Sequence, residues 1–336
     1  MPPTSIGTLI CSYGRPQSLV RALGALEKQV RAPDQVVVVI RDDDYLTAAI
    51  LSNRRVGQLP ISIVVVSEPG TVHALNAGLD ASHCDVVAIT DDDTAPWPTW
   101  LERMLAHFQA NPRVGGVGGR DFMHEGGIRE EGHRDVVGKV QWFGRIIGNH
   151  HLGSGDVRPV DVLKGANMAY RLEAIRDIRF DRRLRGSGAQ PAEDVTFSMA
   201  VRNAGWTLLY DPAAAVEHYT GERTEARHYS GITKEFDAAG MVVFGHNEAV
   251  CLLSGQRSLW KRAAFLGYSA FVGTKVSPGL LQAVVLTPRL GLSSWRRYFA
   301  TQRGKLAGVV TMLRREPQIK PLVRHMPPLV QQAQAR

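Results

Sequence analysis

Short apolar runs alternate with amphipathic segments along the first hundred residues of the chain. The runs at 6–12, 35–40, 61–66 and 85–90 are mainly apolar, which is typical of strands buried on both faces of a parallel sheet. The segments between them, at 17–29, 45–56 and 71–81, are predicted to be helices. Strands that alternate with helices over short connections predict an α/β fold with a parallel sheet and right-handed crossovers.

The carboxyl ends of these strands meet at one edge of such a sheet, where open α/β sheets bind their ligands. We expect Ser12, Asp42, Glu68 and Asp91 near this edge. No glycine-rich phosphate-binding sequence follows the first strand. A nucleotide bound here would therefore need a metal ion, and not a helix N-terminus alone, to neutralise its phosphates.

Three consecutive carboxylates, Asp91, Asp92 and Asp93, end the fourth strand. Because side chains alternate along an extended backbone, Asp91 and Asp93 are expected on one side and Asp92 on the other. Two converging carboxylates repel each other unless a cation lies between them, and such oxygen ligands suit Mg²⁺ or Mn²⁺. The alternative interpretation is an acidic loop that is simply solvated.

A second carboxylate pair, Glu193 and Asp194, follows a glycine-rich loop and opens a helix predicted over residues 194–204. Acids in a first helical turn are favoured by the helix dipole, so the pattern alone is compatible with both capping and catalysis. Further along, His218 lies in a short strand predicted over residues 216–219.

The middle of the chain is glycine-rich and less regular. His150 and His151 lie there, and with no third ligand nearby we interpret them as part of an exposed loop. Residues 160–163 are predicted to form a strand that enters a tight turn at 164–168, and residues 171–178 a short helix. The remaining predicted elements are a helix at 96–110 and strands at 114–118, around 136–143 and at 206–210.

Seven short sequences occur in a fixed order along residues 5–225: ICSYGRP, VVVVIRDDD, EPGTVHALNAGL, AITDDD, KGANMAYR, AED and VEHY. Together they resemble family 2 glycosyltransferases of the GT-A fold, in which a Rossmann-like, mostly parallel sheet is flanked by helices. A DxD motif alone is weak support, whereas seven ordered motifs are strong support. The resemblance implies an inverting transfer of a sugar from a nucleoside diphosphate sugar, with Mn²⁺ or Mg²⁺ bridging the diphosphate.

The resemblance also implies roles for the acids and the histidine. Asp91, Asp93 and His218 would bind the metal ion. Asp194 would be the base that takes the proton of the acceptor hydroxyl, with Glu193 beside it. A positioned general base typically accelerates such a step by about 10²–10⁴-fold.

The resemblance implies that the other matched residues contact the sugar donor. The chain departs from the family pattern at Gly14, where asparagine is common, and at Ala74, where a basic residue is frequent. The expected donor contacts are Ser12, Tyr13 and Arg15 around the base and ribose, Asp42 or Asp44 accepting from the base, Asn76 near the donor, and Asp92 on the ribose or the donor sugar.

Positive charge is concentrated in the last part of this 336-residue chain, whose net charge is +8. Residues 251–336 hold fourteen Lys and Arg against one acid. We therefore expect a catalytic domain over residues 1–225 and a basic, mainly helical extension over residues 226–336.

Two apolar runs in this extension, at 263–274 and 276–288, are too short to span a bilayer. Aromatic residues interleave with the basic ones, as in helices that lie on an anionic membrane surface. The alternatives are an extension packed on the catalytic domain and a surface that forms a homo-oligomer. Nucleic acid is not an expected partner, because no nucleic-acid-binding motif accompanies the charge.

The three cysteines show no paired spacing, and the first residues lack the charged start of a signal peptide. We expect a cytoplasmic enzyme that is peripheral on the inner face of the plasma membrane. Its acceptor would be a glycan or a lipid-linked molecule, as in the synthesis of cell-envelope polysaccharides or glycolipids.

Two other functions are open at this point. A sugar nucleotidyltransferase also combines a Rossmann-like sheet with metal-binding acids, but it usually has a Gly-x-Gly-Thr-Arg sequence after the first strand, which this chain lacks. A non-catalytic nucleotide-sugar-binding protein is disfavoured because Asp91, Asp93, Asp194 and His218 are all present.

Overall fold

A computed structural model describes residues 2–52, 59–219 and 236–314, and within these ranges the chain forms twelve strands and nine α-helices. The strands are β1 (Ile6–Cys11), β2 (Gln35–Arg41), β3 (Ile61–Val66), β4 (Val86–Asp91), β5 (Thr94–Pro96), β6 (Val114–Glu125), β7 (Ile128–Arg129), β8 (Lys139–Val140), β9 (Ile146–Ile147), β10 (Arg158–Val160), β11 (Asn167–Arg171) and β12 (Thr207–Tyr219). The helices are α1 (Pro16–Leu26), α2 (Tyr45–Ser52), α3 (Thr71–Ala81), α4 (Trp100–Ala110), α5 (Glu193–Asn203), α6 (Ala238–Gly255), α7 (Leu259–Phe271), α8 (Leu280–Leu290) and α9 (Leu292–Arg314).

The main sheet has the strand order β10-β12-β6-β11-β4-β1-β2-β3. Strands β1 to β4 pair in parallel in the order β4-β1-β2-β3, so the expected α/β fold with a parallel sheet is confirmed. The second half of the sheet is mixed, because β11 is antiparallel to both β4 and β6 while β12 and β6 are parallel. Strands β8 and β9 form a separate two-stranded ribbon.

Strand β11 corrects the sequence analysis, which placed a tight turn at residues 164–168. The turn is shorter, because the amide of Asn167 donates to the carbonyl of Lys164 at 3.0 Å and the chain then enters the centre of the sheet. This strand was hard to recognise because it is five residues long and ends in Arg171. The guanidinium of Arg171 is buried, but it still has hydrogen-bond acceptors, because it donates to the carbonyls of Phe108 and Val114.

Alternate residues of each buried strand enter two different cores. Leu9 and Val37 contribute to the core that α3, α5 and α6 cover, whereas Ile10 and Val38 contribute to the core that α1 and α4 cover. The sheet is therefore buried on both faces, which is why its strands are apolar along their whole length.

Helices α6 and α9 approach each other closely because glycines lie at their crossing. A Cβ at Gly245 would lie 2.5 Å from the carbonyl oxygen of Thr301, and one at Gly304 would lie 2.2 Å from that of Val242. Contacts this short leave no room for a methyl group.

The substitution Gly304→Ala is expected to lower the free energy of unfolding by about 1–3 kcal/mol, because α9 must move away from α6. Thermal or urea unfolding of the purified protein measures this difference. Gly267→Ala is the matched control, since a Cβ at this position in α7 has no atom within 4 Å. A control variant as unstable as Gly304→Ala would show that the close helix crossing is not the cause.

The C-terminal helices are joined to the sheet domain through α6. Val250 lies in the same core as the sheet residues, and the side chain of Asn203 in α5 donates to the carbonyl of Gly255 at 2.7 Å. The predicted boundary between residues 225 and 226 lies outside the described residues. Across residues 2–52, 59–219 and 236–314, no helix is long and apolar enough to cross a membrane.

Candidate active site

A cavity of about 780 Å³ lies at the carboxyl edge of strands β1 to β4. Ser12, Glu68 and Asp91 line it, so the prediction that these strand ends share one edge is confirmed. The loop at residues 186–191 forms another part of its wall. The start of α6 also contributes, through Asp237 and Ala239, so the C-terminal region takes part in building the cavity.

The aspartates that end β4 differ in their surroundings. Asp91 is partly exposed, whereas Asp92 and Asp93 are buried. Ligand atoms of Asp91, Asp93 and His218 all lie within 4.8 Å of one another. The two carboxylates therefore converge, although β4 ends at Asp91 and a turn, not the expected extended backbone, brings Asp93 beside it. Two carboxylates and an imidazole at this spacing are a suitable ligand set for a divalent ion such as Mn²⁺.

His218 reaches this group because β12 runs past the end of β4. The amide of Tyr219 donates to the carbonyl of Asp93 at 2.9 Å, which fixes the two segments side by side. The Nε2 atom of His218 lies 3.3 Å from Oδ1 of Asp93, and its Nδ1 atom lies 3.5 Å from Oδ2 of Asp121. Within the described part of the chain, neither ring nitrogen makes a hydrogen bond of good geometry. Such a buried imidazole is available to coordinate an ion.

Asp121 and Lys164 lie beside His218, and the sequence analysis did not assign them to the site. The ammonium group of Lys164 contacts Oδ2 of the buried Asp121. Burial opposes ionisation of Asp121, but Lys164 and His218 outweigh it and hold the pKa of this carboxyl below its usual value. Burial likewise opposes the charge on His218, whereas Asp121 and Asp93 raise the pKa of its imidazole to about 9. The ring is therefore protonated at neutral pH without a metal, and it would have to release a proton to coordinate an ion. Asp121 therefore orients His218 from the side opposite Asp93.

Lys164 stands in the KGANMAYR motif, which could have marked it. Asp121 had no such signal, because it lies between Arg120 and Phe122 on β6, outside the seven motifs, and its partners are distant in sequence.

Arg15 lines the cavity, but its guanidinium group is held by two of the aspartates. Its guanidinium contacts Oδ1 of Asp92 at 2.6 Å and Oδ2 of Asp93 at 2.9 Å. Ser12 donates to the other carboxylate oxygen of Asp92 at 2.7 Å. Burial raises the pKa of Asp92 to about 7, although Arg15 and Ser12 partly offset this effect. Contacts of these three residues with a donor stay predictions.

Tyr13 is half exposed at the cavity, with its ring 4.5 Å from the guanidinium of Arg41. Asp44 is buried and accepts from the amides of Gly14 at 2.7 Å and Thr47 at 3.1 Å, so it holds the turn after β1 and begins α2. Asp42 is exposed beside it.

Asn76 is placed differently from the expectation. It is buried in α3, and its side-chain amide both donates to and accepts from the backbone of Phe180 at 2.9 and 2.8 Å. Its hydrogen-bonding groups are thus used to anchor a loop, and this geometry gives no support to a donor contact.

Glu193 and Asp194 begin α5 at the border of the cavity. Oxygens of Asp194 accept from the amides of Gly165 at 3.0 Å and Val195 at 2.7 Å, while Glu193 and Gly165 line the cavity. Burial raises the pKa of Asp194, and the charge of Asp91 adds to this shift. The preceding Ala192 has φ of 71°, a left-handed conformation that costs energy for alanine and is typical of functional sites.

The glycine-rich loop before α5 is tied to its neighbours. The amide of Thr71 donates to the carbonyl of Gly188 at 3.0 Å, and that of Val72 donates to the side chain of Gln190 at 2.8 Å. These contacts use the first amides of α3, so they are not available to phosphate. On the other side of the loop, Asn247 of α6 pairs with both backbone groups of Arg185 at 2.8 and 2.9 Å.

His150 corrects another expectation, because it is buried and not part of an exposed loop. Its Nε2 atom lies 3.0 Å from the carbonyl oxygen of Val162, and its own carbonyl accepts from the hydroxyl of Tyr210 at 2.8 Å. Burial lowers the pKa of its imidazole to about 4. It is a neutral structural residue that fastens the irregular middle segment to the sheet.

Solved structures share this architecture. The mannosyltransferase PcManGT from Pyrobaculum calidifontis, in complex with GDP-Man and Mn²⁺, aligns with a TM-score of 0.52 over 94% of this chain and 89% of its own, at 16% identity. TarS 1-349 from S. aureus, in complex with UDP-GlcNAc, aligns with a TM-score of 0.51 over 90% and 91%, at 15% identity. The fold that the chain shares with these structures is the GT-A fold.

The sequence comparisons give the family. The family model described as "Glycosyltransferase like family 2" matches residues 2–230, and the chain belongs to this glycosyltransferase family. A pre-mycofactocin glycosyltransferase of Mycobacterium tuberculosis is 30% identical over 162 residues, which are 48% of this chain and 32% of that relative. The match therefore spans about a third of the relative's length. This family is not that of the sugar nucleotidyltransferases considered above.

Proposed function

We propose that the enzyme transfers a sugar from a nucleoside diphosphate sugar to an acceptor hydroxyl with inversion at the anomeric carbon. The observation that carries this proposal is the convergence of Asp91, Asp93 and His218 beside the cavity that Glu193 also lines. The structural relatives hold GDP-Man in one case and UDP-GlcNAc in the other, so both bases are candidates for the donor.

Asp91, Asp93 and His218 would hold Mn²⁺ or Mg²⁺. The ion, when bound, acts as a Lewis acid that stabilises the charge on the departing diphosphate. The residues fit this role because they offer two carboxylates and an imidazole within 4.8 Å of one another. Asp121 and Lys164 would keep the imidazole of His218 directed at the site, because the carboxylate of Asp121 lies 3.5 Å from Nδ1 of His218 and Lys164 contacts the same carboxylate.

Asp194 would take the proton of the acceptor hydroxyl as that oxygen attacks the anomeric carbon. A base works best when its pKa lies near the working pH, and burial raises the pKa of Asp194 in that direction. The amides of Gly165 and Val195 hold its carboxylate in place. Glu193 lies beside it and would help to position the acceptor.

The acceptor would be a glycan or a lipid-linked molecule at the cytoplasmic face of the plasma membrane. Support comes from residues 251–314, which run from the end of α6 through α9 and contain ten Lys and Arg and no Asp or Glu. Large apolar side chains are exposed on the same helices, among them Trp260, Phe271 and Leu313. Basic residues beside exposed apolar ones favour binding to an anionic membrane surface.

A thermal-shift screen of GDP- and UDP-sugars, each with and without Mn²⁺, tests the proposed reaction. One donor is expected to raise the melting temperature only when the ion is present, because a ligand that binds the folded state stabilises it. At a ligand concentration of about 100 times Kd the expected stabilisation is about 2.7 kcal/mol. Equal stabilisation with and without the ion would contradict metal-dependent donor binding.

A further inference from the structure

A second cavity, of about 410 Å³, lies between the segment before the glycine-rich loop and helix α9. Four of its lining residues are arginines, namely Arg183, Arg185, Arg303 and Arg314. None of them takes part in the candidate active site described above. This arginine cavity therefore has no role in the proposed sugar transfer itself.

The charge in the arginine cavity is only partly neutralised. Arg183 is paired with Asp181, whose carboxylate it contacts at 2.5 Å. Arg185, Arg303 and Arg314 are exposed, and the described residues place no carboxylate within ion-pair distance of them. The cavity thus presents several guanidinium groups to solvent, and guanidinium groups bind phosphate oxygens through paired hydrogen bonds.

Part of the wall of the arginine cavity is apolar, and a free phosphate ion would leave these apolar side chains uncovered. Leu306 and Val310 of α9 line the cavity. Leu306 belongs to a row of exposed residues spaced seven apart along α9, which form one apolar stripe because seven residues make almost two helical turns. The members of this apolar stripe are Leu292, Phe299, Leu306 and Leu313, which are 77%, 64%, 66% and 76% exposed.

We propose that the arginine cavity binds the phosphate group of an anionic lipid, whose hydrocarbon chains lie along the apolar stripe. The proposal rests on the membrane association proposed above and gives it a specific binding site. Arg185 is followed directly by the residues of the loop that line the donor cavity, and Asn247 clamps its backbone. Lipid bound here would bring that loop, and with it the active site, to the membrane surface.

The test measures binding of the full chain to vesicles of phosphatidylcholine with or without phosphatidylglycerol. In the cavity variant, Arg185→Gln and Arg303→Gln are combined. In the control variant, Arg289→Gln and Arg296→Gln remove the same charge from exposed positions of α8 and α9 outside the cavity. A second cavity variant, with lysine at positions 185 and 303, keeps the charge and removes the paired hydrogen bonds. All four substituted residues are exposed, so unchanged melting temperatures are expected.

The wild type is expected to bind only the vesicles that contain phosphatidylglycerol. The cavity variant should bind them about tenfold more weakly than the control variant does, with the lysine variant between the two. Equal losses in the cavity and control variants would overturn the lipid site and leave general membrane association intact. No binding by the wild type at low salt would overturn both proposals. Displacement by glycerol 3-phosphate at constant ionic strength would show that a soluble phosphate is the ligand and overturn the assignment to lipid.

Discussion

Asp194→Asn is expected to reduce the rate of sugar transfer by about 10²–10⁴-fold while leaving the affinity for the donor nucleotide nearly unchanged. Asparagine has almost the same shape as aspartate but cannot accept the proton of the acceptor hydroxyl. The measurement is a comparison of kcat for transfer with Kd for the nucleotide in the same preparation. An equal loss in both quantities would remove Asp194 from the role of base.

The neighbouring carboxylate provides the control for this experiment. Glu193→Gln removes the same charge at the same end of α5, but Glu193 is not the proposed proton acceptor. We expect it to lower kcat less than Asp194→Asn does. Asp194 also accepts hydrogen bonds from the amides of Gly165 and Val195, so Asp194→Asn should lower the free energy of unfolding by about 1 kcal/mol. Thermal unfolding checks that the loss is no larger than this, so that the fall in kcat is not caused by unfolding.

Asp93→Asn is expected to weaken Mn²⁺ binding by at least about 100-fold. Residues that only support a metal ligand already contribute about 10–100-fold to metal affinity, and Asp93 is proposed to be a ligand itself. The substitution removes one of the two carboxylates that lie near His218. Titration of Mn²⁺ in the presence of GDP or UDP, followed by electron paramagnetic resonance, measures the affinity directly. Donor binding that depends on Mn²⁺ should be lost in parallel.

Asp92→Asn is a closely matched control for Asp93→Asn. It changes the same charge in the next residue, and both aspartates contact Arg15. Asp92 is not among the three residues that converge, and burial raises its pKa to about 7, so its neutral form is already accessible near neutral pH. We expect Mn²⁺ affinity close to that of the wild type. If both variants lost the ion equally, repulsion among the aspartates and not coordination would explain the loss.

The strands that carry the site could be predicted because their sequences are dominated by burial. Strands β1, β2 and β4 are apolar along their length. Asp91 and Asp93 do converge, but through the turn that follows β4 and not through alternation on an extended backbone. The motif order then placed His218 in the same group, and the structure brings its ring to within 3.3 Å of Asp93.

Residues whose role depends on a distant partner could not be predicted in the same way. Asn76 is buried because the backbone of Phe180, far away in sequence, satisfies its amide. His150 is buried because Val162 and Tyr210 satisfy its ring and carbonyl. A single sequence shows which side chains are polar, but it does not show which of them find a buried hydrogen-bonding partner.

In the C-terminal region, the sequence likewise does not show which helices pack against each other. Its positive charge indicated a segment with a partner of its own, and its exposed apolar side chains agree with that expectation. The charge gave no sign that α6 would share a core with the sheet, hold the backbone of Arg185 through Asn247 and line the cavity beside Asp91. The charge also gave no sign that α9 would pack closely on α6, which depends on Gly245 and Gly304 at their crossing.

The central claim is that Asp91, Asp93 and His218 hold the ion that binds the diphosphate of the donor. Its most direct test is a crystal structure of the protein with Mn²⁺ and the nucleoside diphosphate selected by the thermal-shift screen, with the ion located by its anomalous scattering. The account predicts one Mn²⁺ peak within coordination distance of these three side chains and of the diphosphate. A diphosphate bound in the cavity with the ion elsewhere, or with no ion at these residues, would contradict it.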